Sequence, residues 1–146
     1  MLLARSLLFY FGLSLTTLIF VPLSILIYPL AFPLRFKIVS QWSMINLHWL
    51  KLCCNLDHKI EGLENIPDTE AAIIMCKHQS AWETLALQVI FPPQIWVLKR
   101  ELLWIPIYGW GLAAMEPIAI DRSSTTRALR KIVGQGCERL AQGLWV

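Results

Sequence analysis

At 146 residues the chain has room for one domain, and 56% hydrophobic residues with a mean hydropathy of +0.54 make it too apolar for an ordinary small soluble domain. Thirteen basic and ten acidic residues leave a net charge of +3, which suits an anionic lipid surface and falls short of a nucleic-acid-binding composition. Nucleic acid is set aside as a partner, and membrane contact is the first expectation.

No charged residue stands between Arg5 and Arg35, and residues 7–32 form an apolar run. At ~1.5 Å per helical residue that run exceeds the ~30 Å hydrocarbon core of a bilayer. It is too long for the apolar stretch of a signal peptide and no small-x-small site follows it, so the segment is expected to stay attached. Pro22 and Pro29 each remove a backbone donor, which leaves a kinked or re-entrant helix open beside a spanning one. Arg5 precedes the run and Arg35 and Lys37 follow it, a weak bias toward a cytoplasmic C-terminal side.

A second helix is predicted next, because Ile38, Trp42, Ile45, Trp49, Leu52 and Leu56 recur three and four residues apart along one face, with Leu47 and Cys54 on another. A helix apolar on two sides suits the headgroup level of a membrane or a buried core, and both readings stand. Residues 1–56 are thus read as a membrane-embedded or interfacial helical segment. His48 and His58 have no carboxylate or nucleophile at a telling spacing and read as structural. Cys53, Cys54, Cys76 and Cys137 form no metal-binding pattern and read as buried thiols of a reducing compartment.

After Asn55 the pattern changes. Turn residues 61–68 precede the apolar run 71–76, which reads as a buried strand. A helix is predicted over 81–90, closed by Pro92-Pro93, with strands over 95–98 and 118–120. From Thr125 onward Ala128, Leu129, Ile132, Val133, Cys137 and Leu140 mark an apolar helix face, and Gly143 suits its C-terminal cap. Strands separated by helices give residues 57–146 an α/β sandwich with a largely parallel sheet. Residues 144–146 read as the start of a further strand, so the chain is expected to continue past Val146.

Residues 77–83, Lys-His-Gln-Ser-Ala-Trp-Glu, carry the most chemical information. Moving an acyl group from a thioester to an alcohol needs a base for the hydroxyl proton, and an imidazole oriented by a carboxylate is suited to it. Five residues rotate a continuous helix by about 500°, so His78 and Glu83 can pair only if His78 precedes the helix. Ser80 as N-cap would arrange that. Ser80-x-x-Glu83 is also a capping box, in which Glu83 serves only a backbone N–H. Arg122 follows a strand and stands before Ser123-Ser124-Thr125, where a helix N-terminus would favour phosphate; an ion pair with Asp121 or Glu138 is the ordinary alternative. Lys99 and Arg100 end another strand, and the apolar loop 104–111 suits an acyl chain, a membrane interface or simple packing.

These blocks resemble the 1-acylglycerol-3-phosphate acyltransferase family, within the wider glycerolipid acyltransferases. Its first motif, Asn-His-x-Ser-x-x-Asp, is matched at His78 and Ser80, with Lys77 for Asn and Glu83 for Asp. Its second block is matched by Lys99-Arg100-Glu101-Leu102, Ile105-Pro106, Gly109, Gly111 and Ala119-Ile120-Asp121-Arg122. The resemblance implies His78 as general base, Glu83 as its orienting partner, and Arg122, Lys99 and Ser80 as substrate-binding residues. It implies direct transfer from acyl-CoA or acyl carrier protein to lysophosphatidate in phospholipid biosynthesis, with no acyl-enzyme, metal or bound cofactor. An inner-membrane location with a cytoplasmic site follows from the same likeness. The family's third motif, Glu-Gly-Thr-Arg, is absent, so these residues alone are expected to have little activity. Another lysophospholipid acceptor, or a non-catalytic protein that binds anionic lipid, remain the alternatives.

Overall fold

The computed structural model describes residues 1–67 and 70–146; Asp68, at the end of the predicted turn, lies outside them. The apolar run 7–32 is not one helix. Helix α1 spans Leu2–Leu26, the chain reverses through residues 27–31, and α2 spans Phe32–Cys54. Pro29 therefore belongs to the reversal, and Pro33 sits in the first turn of α2, where its missing N–H costs nothing. Asn55 in the left-handed region, φ 54°, ends α2.

The two helices run antiparallel. The Cys54 thiol reaches the Arg5 carbonyl, the Trp49 indole Nε1 donates to the Leu8 carbonyl at 3.2 Å, and Asn46 exchanges hydrogen bonds with Thr16 at 3.0–3.1 Å. Gly12 permits the close approach, since a Cβ there would lie 2.1 Å from Trp49 Nε1. The face predicted for α2 is packed only in part: Ile38, Trp42 and Trp49 are half-buried and Trp49 meets α1, whereas Ile45 is exposed, Leu52 is 78% exposed and Leu56 lies beyond the helix; the fully buried residues are Arg35, Phe36, Ser43 and Asn46. Helices joined by side-chain hydrogen bonds and a glycine contact turn their small and polar residues inward, which displaces the apolar ones to the surface.

In the second half, α3 spans Trp82–Ile90, β1 Val97–Lys99, α4 Tyr108–Ala114, β2 Ile118–Ile120 and α5 Thr125–Ala141. The order matches the predicted alternation, except that the latter part of the expected loop 104–111 is helical. β1 and β2 are parallel, with Leu98 opposite Ala119. Trp145 forms a parallel bridge with Gln94, and Val146 exchanges hydrogen bonds with Ala72 and Ile74, so the small sheet extends in the order 72–74, 145–146, 94–99, 118–120. The run 71–76 is extended but forms no regular strand and is not buried: Met75 is 93% exposed, because among the described residues Val146 alone pairs with the run.

Ile95, Ile118, Ile120 and Leu144 make the sheet core, backed by Ala128 and Ile132 of α5. Each such side chain contributes about 2 kcal/mol of burial. The rest of the predicted α5 face divides: Val133 and Cys137 turn toward a cavity, and Leu129 is exposed. Gly143 closes α5 as expected. Its φ of 74° lets Gly143 N–H reach Leu140 O at 2.9 Å and Leu144 N–H reach Arg139 O at 3.0 Å, a Schellman motif that aims Leu144 into the core. Cys76 and Cys137 are exposed and Cys53 and Cys54 half-buried, so the thiols are not core groups. The extended backbone carries Cys76 out to solvent, and Cys137 sits on the rim of α5.

Hairpin and α/β body are joined by a buried ion bracket. Arg35, 2% exposed, donates to the Tyr28 carbonyl at 2.7 Å and to Glu116, whose second oxygen accepts from Arg139 of α5 at 3.1 Å. The Arg35 guanidinium, followed by Arg139, outweighs burial and holds the Glu116 carboxyl below its ordinary range. Sequence reading took Arg35 only as a flanking charge.

Candidate active site

The extended segment 71–79 delivers His78 to the turn before α3, and α3 begins at Trp82, so His78 stands outside the helix that carries Glu83. This break lets the two side chains meet: His78 Nδ1 lies 3.3 Å from Glu83 Oε2. The same oxygen accepts the Ser80 N–H at 2.9 Å and the Ser80 hydroxyl at 3.0 Å, while Oε1 accepts the Gln79 N–H at 3.3 Å. Ser80 Oγ in turn accepts the Trp82 N–H at 3.1 Å. Dyad and capping box are therefore one construction. The box is only half reciprocal, because Ser80 serves Trp82 rather than Glu83 and the capping position falls on Ala81.

Partial burial raises the Glu83 carboxyl, but the N–H groups of Glu83 and Ser80, the Ser80 hydroxyl and the Gln79 N–H outweigh it and bring the group down to about 2. Glu83 is thus anionic at any physiological pH. An anionic acceptor at Nδ1 favours the imidazole tautomer protonated there and leaves the Nε2 lone pair free. The Glu83 side chain is 15% exposed and the His78 side chain 63%, so a fixed carboxylate holds an accessible base.

His78 and Glu83 line a cavity of about 710 Å³ whose walls are mostly apolar, among them Val21 of α1, Trp42 of α2, Leu98 of β1 and Val133 of α5. Lys99 and Arg122 line the same cavity. Their convergence follows from the parallel pairing. Lys99 faces Ile120 in register, and Arg122 stands two residues further on, so both lie where the strands' C-terminal ends open onto a crevice. Ser80 does not join the cavity wall; it braces Glu83.

Among the described residues Arg122 forms no ion pair with Asp121 or Glu138. Asp121 is engaged elsewhere: the Ser123 hydroxyl at 2.6 Å and its N–H at 2.9 Å, followed by Arg100 at 3.1 Å, hold that carboxyl below its ordinary range. Among the described residues the ordinary alternative for Arg122 is thus not taken, and Arg122 lines the cavity instead.

The contribution of the hairpin to this cavity was not foreseen. Thr17, Phe20, Val21 and Ser24 of α1 and Phe36, Val39 and Trp42 of α2 line it. The available signal was the set of hydroxyl residues interrupting the apolar run, since Thr17 and Ser24 bond back to Leu13 and Val21 carbonyls and mark the inward side of α1.

The Acyltransferase family matches residues 57–146. A 1-acyl-sn-glycerol-3-phosphate acyltransferase of Pseudomonas aeruginosa is 42% identical over 144 residues, covering 97% of this chain and 56% of that protein. Proteins of the same name from Saccharomyces cerevisiae and Escherichia coli are 33% and 31% identical, over 74% and 56% of this chain and 37% and 31% of their own lengths. The chain thus spans about half the length, or less, of these curated relatives. No solved structure matches it at a significant level. The match over most of the chain, on the segment that holds the His78–Glu83 pair, establishes that the chain belongs to the acyltransferase family.

Proposed function

We propose that the whole protein is a membrane-bound 1-acylglycerol-3-phosphate O-acyltransferase that makes phosphatidate from lysophosphatidate. The observation that carries this is the presence of a fixed His–carboxylate pair on the wall of one apolar cavity with two cations, Lys99 and Arg122, that form no ion pair among the described residues. His78 Nε2 takes the proton of the acceptor's free hydroxyl as its oxygen attacks the thioester carbonyl. The tetrahedral adduct collapses, the carbon–sulfur bond breaks, and the thiolate regains the proton from the imidazolium. Glu83 stabilises that imidazolium without being protonated. Arg122 and Lys99 hold the acceptor's phosphate, and the apolar walls take acyl chains.

The donor is acyl-coenzyme A or acyl carrier protein, and the site opens on the cytoplasmic side of the inner membrane. Membrane attachment rests on α1, the one helix among the described residues long and apolar enough to cross a bilayer. Its outward-facing Leu15, Leu18 and Ile19, with the small and polar residues turned toward α2, suit a hydrocarbon surrounding. Residues 1–56 serve as the membrane segment and 57–146 as part of the catalytic domain.

The test is acyl transfer to lysophosphatidate in membranes holding the full-length protein or its His78→Ala variant. Turnover should fall by about 10²–10⁴-fold, the worth of a positioned general base. Equal phosphatidate formation above background would remove His78 from the chemistry, and background formation by both proteins would favour another lipid acceptor first and the lipid-binding alternative after it.

A further inference from the structure

The strand ends carry cations into two separate hollows. Lys99 and Arg122 line the large cavity, while their neighbours Arg100 and Asp121 line a second one of about 190 Å³, completed by Ala119 and by Arg127, Ala128 and Lys131 of α5. Three cations against one carboxylate leave this small hollow at +2. The carboxylate is already occupied by Arg100 and Ser123.

The donors are placed but underused. Lys131 Nζ is anchored by one hydrogen bond to the Ala119 carbonyl at 2.6 Å, and Arg127 spends only Nε, on Ser124 Oγ at 3.2 Å. Among the described residues the terminal nitrogens of Arg127 and the second one of Arg100 meet no acceptor. Arg127 also stands in the first turn of the 17-residue helix α5, and that turn holds no acidic residue. A cation at that end opposes the helix dipole, and an anion bound beside it would relieve the repulsion.

We propose that this hollow is a second phosphate site, which holds a phosphate of the acyl donor's carrier. The inference rests on the acyl-transfer reading above. In the acceptor, phosphate and reacting hydroxyl are close neighbours, so its phosphate belongs in the cavity of His78. In the donor, the pantetheine arm separates the thioester from the nearest phosphate, which calls for a cationic site off that cavity. Coenzyme A and carrier protein share this chemistry, a phosphate ester at the far end of the arm.

The experiment compares the full-length protein with Arg127→Gln/Lys131→Gln, using acyl-coenzyme A, acyl carrier protein and acyl-pantetheine, which lacks phosphate. The KM for phosphate-bearing donors should rise about tenfold or more, the loss expected for charge-assisted hydrogen bonds. A rise for both carriers assigns the shared phosphate ester, and a rise for acyl-coenzyme A alone assigns the coenzyme's remaining phosphates. An equal rise for acyl-pantetheine, a rise confined to lysophosphatidate, or no rise would overturn the proposal. Arg127→Gln alone, at an exposed position bonded to Ser124, repeats the test with the Lys131 anchor intact. Calorimetric titration with coenzyme A separates this inference from the one beneath it. If no His78-dependent transfer occurs, weaker coenzyme binding by the variants still supports the site, and equal binding rejects it.

Discussion

The helical hairpin and the α/β body obey opposite burial patterns. In the body Ile95, Ile118 and Ile120 are inside and the basic residues of α5 are outside; in the hairpin Ser43, Asn46 and Arg35 are inside while Leu15, Leu18 and Ile19 face out. Water drives the first arrangement, since each apolar side chain gains by leaving it. Between the two helices hydrogen bonds and close backbone approach take over, as they do where the surrounding medium is itself apolar. The lesson is that the cavity is bounded by both regimes: its floor is the sheet and its far wall is the hairpin, so the site depends on how the two are held together.

The strongest way to break that arrangement is Arg35→Met. Glu116 is part-exposed and keeps Arg139, so losing the buried Arg35 removes one charge-assisted hydrogen bond, a loss of about 1.5–3 kcal/mol. The change should lower the midpoint of thermal unfolding in detergent. Under the function proposed above, it should also raise the KM for the lipid acceptor through displacement of the hairpin wall. Arg35→Met with Glu116→Leu should recover part of the stability, because the carboxylate is then gone and only the part-exposed Arg139 loses its partner. A single variant as stable as the parent would show that the bracket does not hold the two regions together.

A smaller effect is expected within the hairpin. A Val at position 12 would place its Cβ at 2.1 Å from Trp49 Nε1, so the helices must separate or Trp49 must leave the Leu8 carbonyl. Overpacking of this kind costs about 1–3 kcal/mol. The double variant Gly12→Val/Trp49→Ala should be less impaired than the sum of the two single changes. Strict additivity in denaturation midpoints would place the cost elsewhere.

Legibility in the sequence differed between the regions for the same physical reason. Over α3, β1, β2 and α5 the hydrophobic period, Pro92-Pro93 and Gly143 specified the elements to within about two residues, because in water the apolar face and the packed face coincide. In α2 the period pointed to a face of which Trp42 and Trp49 pack and Ile45 and Leu52 lie on the outward surface, while the fully buried Ser43 and Asn46 stand off it. The strand assigned to 71–76 failed differently. Its composition is that of a central strand, but burial depends on neighbours far along the chain, and local pattern carries no record of them. The pairing of His78 with Glu83 was legible because Ser80 marks the helix entry; the Arg35–Glu116–Arg139 bracket was not, with 81 and 23 residues between its partners.

The subtlest contrast concerns pH. Glu83 is depressed to about 2, so its hydrogen bonds to the α3 entry are fully present above its ordinary value near 4.5 and are lost as pH falls toward 2. Glu116 is depressed as well, which makes acid weakening a property of the hairpin bracket and the His78–Glu83 turn together. Glu83→Gln separates them. Amide hydrogen exchange over Ser80–Ile90 should show parent protection falling between pH 4.5 and 2, whereas the variant, with no carboxyl to protonate, should begin weaker and lose less in that window. If parent and variant differed by a constant amount across it, the hydrogen bonds around Glu83 would not be what anchors the entry of α3, and the rigid placement of His78 would have to come from the packing of the turn itself.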